Sequence, residues 1–320
     1  MKSSGLRVVA RVLSQELATT VALLVGVSLV VFLILFLAPG DPFSALLGGG
    51  SNEGDERDTV LIGLGLPSTW YGQYFSWMGN VLQGDFGNSL RTGQPVTHTL
   101  SFSGMNTLFL TLGSLIVTLV VAIPIATLAA VQPAGLSARI GTILVYLVSA
   151  LPTFWLGYLL IYFFTTKLGL FPLLSGSEET QEYSWLYALL PVALLGLGNG
   201  ALAEIVRYLR EEISRVMHEE YIRTARAKGA SIWRHAFKEA YLLPVSQIIA
   251  AKMPFILGGA IIVEQVFNWP GLGRVAWQAA QDRDYPVILA VALLAALVVR
   301  LGSFLHRAIY VAVNPRASHL

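Results

Sequence analysis

The chain of 320 residues contains no cysteine, and only 12% of its residues are charged whereas 55% are hydrophobic. The lack of cysteine excludes disulfides, a thiolate nucleophile and iron–sulfur clusters. A typical soluble domain carries about twice this share of charge. Several apolar runs reach the roughly 20 residues that a helix needs to cross a bilayer, and they are continuous rather than alternating, which excludes a transmembrane β-barrel. The composition therefore predicts an all-α polytopic membrane protein.

Motifs that carry catalytic or metal chemistry are also missing. The sequence has no Gly-x-x-x-x-Gly-Lys-Ser/Thr stretch, no His-Glu-x-x-His stretch and no histidine pair at metal-ligand spacing. An intramembrane serine protease needs a base that faces a serine such as Ser103. The histidine nearest to a span interior, His306, lies at the cytoplasmic end of the last apolar run. We therefore predict that the chain is not an enzyme and binds no metal ion or cofactor of its own.

Ionisable side chains are scarce within the apolar runs, and the few strongly polar residues include Asn106 at the start of the second run, Asn199 in the fourth and Lys252 in the fifth. A carrier driven by protons or ions usually places ionisable residues near the middle of the membrane. The pattern favours a transporter whose energy comes from elsewhere. An ATP-independent channel or carrier is the alternative of a different class.

The apolar runs predict six spans, and the distribution of charge orients them. If both termini, the loop between spans two and three and the loop between spans four and five are cytoplasmic, 16 of the 21 Lys and Arg residues lie inside. The positive-inside rule favours this orientation. The predicted spans are residues 17–38, 107–131, 140–164, 186–206, 245–263 and 287–304.

An aromatic-rich helix is predicted in the outer segment between the first two spans. Its amphipathic face carries Trp70, Tyr74, Trp77, Met78 and Val81, and Ser68 or Thr69 is placed to cap it. Tryptophan and tyrosine at this density fit a helix at the membrane interface. Packing of the same helix against the other spans is an equal alternative.

The most charged stretch of the chain, residues 219–244, predicts a helix–turn–helix hairpin outside the bilayer. Ile222, Ala225 and Gly229 share one face of the first helix, and Gly229 is placed to end it as the residue after the cap. Ser231 is placed to cap the second helix. That helix carries an aromatic stripe of Trp233, Phe237 and Tyr241. From the residues alone, the hairpin either contacts a protein partner or lies on anionic lipid as an amphipathic helix.

Motifs along nearly the whole chain resemble the dipeptide/oligopeptide/nickel permease family of ATP-binding-cassette importers. Each motif alone is weak, but they occur in order and at the expected places relative to the six spans. Thr224-Ala225-Arg226-Ala227-Lys228-Gly229 followed by Leu243-Pro244 resembles the cytoplasmic coupling motif of such permeases. The other matching stretches are residues 37–42, 64–66, 84–89, 91–96, 221–229, 267–274, 283–287 and 314–316.

The resemblance implies a type I importer fold with six transmembrane helices and cytoplasmic termini, in the bacterial inner membrane. It divides the chain into a tail and first span (1–38), a periplasmic segment with an interfacial helix (39–105) and a core permease domain (106–320) that includes the coupling hairpin (207–244). The substrate implied is a di- or oligopeptide, with nickel or a metal chelate as the alternative.

The same resemblance implies the partners of the chain. They are a second homologous permease, two cytoplasmic ATPase subunits that hold ATP and magnesium, a periplasmic or lipid-anchored substrate-binding protein, and membrane lipid, but no nucleic acid. The chain itself would form half of the translocation pathway.

Two groups of site residues follow from the matching motifs, together with three departures from them. Ala225 and Gly229 are expected on the docking face, whereas Glu264 is expected to meet a cationic substrate group or to be a solvated span end or structural ion pair. Thr224 stands where the general motif has glutamate, the second cytoplasmic helix is expected to be trimmed, and Ser303 and Arg307 stand where asparagine and aspartate are expected. The ATPase-coupling candidates are Tyr221, Arg223, Thr224, Ala225, Arg226, Lys228, Gly229, Leu243 and Pro244. The periplasmic gate candidates are Glu264, Trp269, Pro270, Gly271, Gly273 and Arg274.

Overall fold

The computed structural model describes residues 2–37, 69–169, 184–198 and 200–313, and these are almost entirely helical. Predicted features at residues 38–42, 64–66, 68, 199 and 314–316, and the side chain of Lys252, lie outside the described part. The helices are α1 (Lys2–Leu37), α2 (Trp70–Leu82), α3 (Val96–Val131), α4 (Leu136–Ser149), α5 (Thr153–Leu160), α6 (Ser184–Leu197), α7 (Ala201–Met217), α8 (Glu220–Ala227), α9 (Ile232–Phe237), α10 (Leu243–Val266), α11 (Leu272–Asp282) and α12 (Tyr285–Val313). π-Helical segments extend α5 (Ile161–Lys167) and join α9 to α10 (Lys238–Leu242).

Three of the described helices are long and apolar enough to cross a membrane: Ser14–Leu37, Val96–Val131 and Tyr285–Val311. Two helix pairs pass the same test together but are bent, so up to five spans result if each pair counts as one. Helix α10 covers the region of the predicted fifth span. The all-α class is therefore confirmed, while the count of six spans stays a prediction. The second predicted span is longer than expected, because α3 begins at Val96.

We predicted one continuous helix for the third apolar run, and this prediction is wrong. The run forms two helices that meet at an angle of 99°. The first ends at Ser149, and the second begins at Thr153 with Pro152 as its cap residue. Proline has no N–H to donate and disfavours helical backbone in the preceding residue, here Leu151. The Leu-Pro step therefore ends one helix and starts another.

The fourth apolar run is also broken, with a bend of 53° between Ala188–Leu197 and Ala201–Met217. Gly200 precedes the second helix in the left-handed conformation, with φ 73°, which glycine adopts without steric penalty. The hydroxyl of Thr153 donates a hydrogen bond to the carbonyl of Gly198 at 3.2 Å. The two breaks therefore contact each other: the hydroxyl at the first break is the donor, and the carbonyl at the second break is the acceptor.

Cα packing divides the chain into two compact units, and the first comprises Met1–Glu16, Thr107–Trp269 and Val298–Leu320. Its core consists of two groups of buried side chains. The hairpin cluster lies between α7, α8 and the second hairpin helix, and includes Leu209, Ile213, Val216, Ile222, Ala236 and Ala240. The other group lies between α3, α6 and α10, and includes Leu110, Leu194, Leu195, Val263, Phe267 and Trp269.

The second unit comprises Leu17–Asn106 and Pro270–Leu297. Its core joins the first turns of α3 to α11 and to the start of α12. The buried side chains there are Val96, Leu100, Ala279, Val287, Ala290 and Val291.

An ion-pair cluster in the first unit accounts for one departure from the family motif. Glu16 of α1 contacts Arg300 at 2.8 Å and Arg307 at 3.1 Å, both on α12. The side chains of Glu16 and Arg300 are 13% and 14% exposed, whereas that of Arg307 is 54% exposed. Arg307, which stands where the motif has a different polar residue, therefore has a carboxylate partner within this chain.

We predict that replacing Glu16 with glutamine destabilises the protein strongly. The change removes a carboxylate partner from an arginine side chain that is only 14% exposed, and breaking a buried ion pair costs about 3–5 kcal/mol. Arg307→Gln is the matched control, because exposed ion pairs contribute only about 0–1 kcal/mol. Thermal unfolding of the purified protein in detergent measures both, and equal losses in the two variants would contradict the prediction.

Candidate coupling hairpin and outer loop site

The first helix of the hairpin, α8, is attached to the rest of its unit by a hydrogen bond as well as by packing. The hydroxyl of Tyr221 donates to the Glu239 carboxylate at 2.9 Å, which ties α8 to the segment that follows α9. Burial of the phenol, together with the hydrogen bond to Glu239 and the charge of that carboxylate, raises the pKa of Tyr221 to about 12. The hydroxyl therefore stays protonated at neutral pH and keeps its role as the donor.

The turn between the two hairpin helices has the geometry that the sequence predicted. Gly229 follows Lys228, the cap residue of α8, and has the left-handed conformation, with φ 67°. The N–H of Ala230 donates to the carbonyl of Ala225 at 3.0 Å, and the N–H of Gly229 donates to that of Arg226 at 3.1 Å. These two bonds form a Schellman motif, which satisfies the carbonyls at the end of the helix and fixes the direction of the chain.

The inward face of α8 is the small and apolar face, contrary to our expectation that Ala225 faces a partner. Ile222 is completely buried in the hairpin cluster and Ala225 is only 5% exposed. The prediction that Ala225 forms the docking surface is therefore wrong, because this residue packs within its own chain. Gly229 is exposed, and a Cβ added there would meet no atom within 4 Å.

The outward face of α8 is basic. Arg223, Arg226 and Lys228 are exposed, and none of the three forms an ion pair with another described residue. Thr224 is also exposed, and its hydroxyl donates to the carbonyl of Glu220 within the helix at 3.0 Å. Threonine in place of glutamate thus gives this surface, which we call the basic face, one negative charge fewer, although Glu220 is exposed one turn earlier on the same helix.

The second hairpin helix continues into α10 without a break. Ser231 occupies the cap position, as predicted, although its side chain makes no capping hydrogen bond. The π-helical segment carries the backbone from α9 to α10, where Pro244 is buried in the first turn and Leu243 is partly buried. Proline lacks the N–H that a continuous helix would use at this position, and Pro244 lies two residues after the π-helical segment. A displacement of the hairpin therefore acts directly on α10.

The aromatic stripe of that helix is present, and it is only partly packed. Tyr241 stacks on Phe237, with ring centroids 6.4 Å apart, and lies 6.3 Å from Trp233. Its hydroxyl forms a hydrogen bond of 3.0 Å with Thr127 of α3. Trp233 and Phe237 are 46% and 56% exposed, so half of the stripe faces away from the unit.

Two of the gate candidates lie in the first unit and are buried. Glu264 is completely buried and accepts a hydrogen bond from the hydroxyl of Thr107 at 2.7 Å. The alternative that Glu264 is a solvated span end is therefore wrong. Trp269 donates its backbone N–H to the Glu264 carbonyl at 2.8 Å, and its ring stacks on Phe109 with centroids 6.5 Å apart.

The other four gate candidates lie in the second unit, around the start of α11. The side-chain amide of Asn106 donates to the carbonyl of Pro270 at 3.0 Å. Gly271 is the cap residue of α11, Gly273 is buried in its first turn, and Arg274 is partly exposed. The family motif at 267–274 thus begins at the end of α10 in the first unit and finishes in the first turn of α11 in the second unit.

A site that sequence reasoning missed lies in the second unit, where two matching motifs contact each other. Asp284 is 3% exposed, and its carboxylate accepts hydrogen bonds from the Ser89 hydroxyl and from the backbone N–H groups of Leu90, at 3.1 Å, and Arg91, at 3.4 Å. The Ser89 oxygen in turn accepts the N–H of Thr92 at 3.1 Å. Both motifs could be read from the sequence, but no signal in it showed that they meet.

Asp284 therefore acts as the fixed acceptor for a loop whose own N–H groups converge on it. The loop is closed further by an antiparallel bridge between Asn88 and Pro95. An exposed ion pair between Arg91 and Asp282, at 3.1 Å, lies beside it. These contacts fix the loop against the residue that precedes α12.

Comparison with known proteins identifies the family. Residues 122–319 match the family described as the inner membrane component of binding-protein-dependent transport systems, and residues 9–122 match the N-terminal part of such components. The chain is 35% identical over 311 residues to the oligopeptide transport system permease protein AppB of Bacillus subtilis strain 168, covering 94% of this chain and 96% of that protein. It is 36% identical over 293 residues to the glutathione transport system permease proteins GsiC of Pectobacterium atrosepticum and Escherichia coli K12, covering 90% of this chain and 92% of each relative.

We predict that Asp284→Asn loosens the outer loop. Asparagine keeps the shape but offers one neutral acceptor and an amide that opposes the Ser89 and backbone donors. Hydrogen bonds to a charged group contribute about 1.5–3 kcal/mol each. Susceptibility of the loop to a protease in right-side-out vesicles should rise, whereas Asp282→Asn, which removes only an exposed ion pair, should leave it near the wild-type value. Unchanged protection in Asp284→Asn would refute the role of this carboxylate.

Proposed function

Because this chain belongs to the family of inner membrane components of binding-protein-dependent transport systems, we propose that it is a permease subunit of an ATP-driven importer of di- or oligopeptides. The names of its relatives support this substrate class, since one relative serves oligopeptide transport and others serve glutathione, itself a small peptide. The family is the membrane component of such systems and not their catalytic subunit. ATP and magnesium would accordingly bind to separate cytoplasmic ATPase subunits.

The observation that carries the coupling assignment is the two-sided character of α8. Its inner face packs through Ile222 into the hairpin cluster, while its basic face has no ion-pair partner among the described residues. Three cations on a short helix present a surface that an acidic groove on an ATPase subunit complements. We assign Arg223, Thr224, Arg226, Lys228 and Gly229 to the contact.

The remaining coupling candidates transmit the movement rather than meet the partner. Ala225 packs inward, and Tyr221 ties α8 to the second hairpin helix through Glu239. Leu243 and Pro244 form the first turn of α10, which continues directly from that helix. Movement of the ATPase subunits would therefore displace α8, and with it α7 and α10, as one body.

The assembly that this function requires includes a second homologous permease, two ATPase subunits and a substrate-binding protein on the outer face. We place the chain in the bacterial inner membrane with a cytoplasmic N-terminus, because Lys2, Arg7 and Arg11 precede the first apolar run. The gate assignment of Glu264, Trp269, Pro270, Gly271, Gly273 and Arg274 belongs to the same proposal. In it, Glu264 becomes accessible to a peptide ammonium group only when the pathway opens.

The substitution of Gly229 by leucine tests the docking surface, with alanine as the matched control. Both side chains face open space within this chain and share the steric penalty of the left-handed conformation, which is about 1–2 kcal/mol. Only leucine adds bulk at the proposed contact, where overpacking costs about 1–3 kcal/mol and so lowers coupling by about fivefold or more. We expect Gly229→Leu to insert normally but to lose peptide uptake and the stimulation of ATP hydrolysis by loaded binding protein.

The measurement uses the complete transporter in proteoliposomes, with ATP hydrolysis and peptide uptake followed together. Gly229→Ala should retain most of both activities. Equal uptake by the leucine and alanine variants would sink the docking assignment. Uptake by the wild-type permease without any ATPase subunit would instead overturn the proposed importer as a whole.

A further inference from the structure

Helix α2 lacks every kind of charged residue, and its outer face is aromatic. Its sequence is WYGQYFSWMGNVL, with no Asp, Glu, Lys, Arg or His. Trp70, Tyr71 and Phe75 are 41%, 52% and 69% exposed, and Leu82 at its end is 82% exposed. A helix that lies on the bilayer surface has a strongly charged or polar face toward water. Helix α2 exposes large apolar side chains instead, and the polar Gln73 is buried.

The opposite face of α2 packs against α1 through Tyr74. The Tyr74 hydroxyl forms a hydrogen bond of 2.9 Å with the Ser28 hydroxyl and lies 3.3 Å from the Val25 carbonyl. Its ring meets that of Phe32 edge-on, with centroids 5.4 Å apart. Ser28 and Tyr74 are 3% and 5% exposed, so this polar contact is sealed from its surroundings. Pairing of both hydroxyls removes the penalty that unpaired polar groups suffer in hydrocarbon.

Helix α1 shows how deep this contact lies. Its apolar stretch runs from Ser14 to Leu37, and Glu16 near the inner end is held by arginines. At about 1.5 Å per residue, Ser28 lies about 18 Å along the helix from Glu16 and about 14 Å from Leu37. The hydrocarbon core is about 30 Å thick. The Tyr74 hydroxyl therefore lies well inside the hydrocarbon core and not at its outer boundary.

We infer that α2 is embedded in the outer leaflet of the bilayer, with its exposed aromatic face covered by phospholipid acyl chains. The side chains that contact lipid are Trp70, Tyr71 and Phe75, and the Ser28–Tyr74 hydrogen bond fixes the depth. Helix α2, which follows the first span in the sequence, thus lies within the membrane before the chain reaches the outer loop. This inference does not depend on the proposed substrate or on the coupling hairpin.

The absence of cysteine makes a direct test simple, because one introduced cysteine is then the only thiol in the chain. A nitroxide is attached to Phe75→Cys in the assembled transporter, reconstituted in phosphatidylcholine–phosphatidylglycerol vesicles. Collision rates are measured with oxygen, which partitions into hydrocarbon, and with a nickel chelate, which stays in water. Val30→Cys, on the exposed side of α1 and close to Ser28 in the sequence, is the lipid control. Gln94→Cys, on the exposed outer loop, is the water control.

We expect the Phe75 label to match the Val30 label, with frequent oxygen collisions and few nickel collisions, and the Gln94 label to show the reverse. Tyr71→Cys provides a second position if the first variant does not assemble. Frequent nickel collisions at both positions would place α2 in water and overturn the inference. Few collisions with either reagent would show a protein surface on this face, which would overturn it as well.

Discussion

The burial of Ile222 is the contact on which the arrangement of the hairpin depends. This side chain anchors a helix of only eight residues to α7 and to the second hairpin helix. An isolated helix of that length is not stable in water, so its shape depends on this packing. Because the apolar face is used inward, only the basic face is left for a partner. One buried side chain thus decides both the position of α8 and the chemistry of the surface that it presents.

A related constraint accounts for three buried polar contacts elsewhere, because a polar group away from water is costly without a partner. Glu264 accepts from Thr107, Asp284 accepts from Ser89 and two backbone N–H groups, and Ser28 pairs with Tyr74. Each of these contacts joins segments that are distant in the sequence. In an apolar chain such pairs are few, and each one fixes the position of a helix more specifically than apolar packing alone can do.

The features that the sequence predicted well are local. Glycine at position 229 and serine at position 231 mark a turn because left-handed backbone and helix starts have strong residue preferences. The breaks at Pro152 and Gly200 are local too, and they were missed because each apolar run was long enough to cross the membrane as one helix. The prediction relied on the length of each run and gave too little weight to the Leu-Pro step and the closely spaced glycines. In the structure, these residues break the helices.

The features that could not be predicted are the tertiary contacts of individual side chains. A helical wheel shows that Ile222, Ala225 and Gly229 share a side, but not whether that side faces the chain or a partner. Nor could the contact of Ser89 with Asp284 be read from two motifs that are almost two hundred positions apart. Such contacts depend on the packing of whole helices, for which residue spacing carries no signal.

The departures from the family motif illustrate how such a contact changes the interpretation of a substitution. Thr224 satisfies its hydroxyl within α8, so the loss of a glutamate there makes the basic face more positive without leaving an unpaired group. Arg307 shares the carboxylate of Glu16 with Arg300, so its charge is compensated from a helix at the other end of the chain. A second cation beside Arg300 would be unfavourable without that carboxylate, because like charges at short range repel. Glu16 and Arg307 are therefore best understood as one feature of this chain rather than as two separate substitutions.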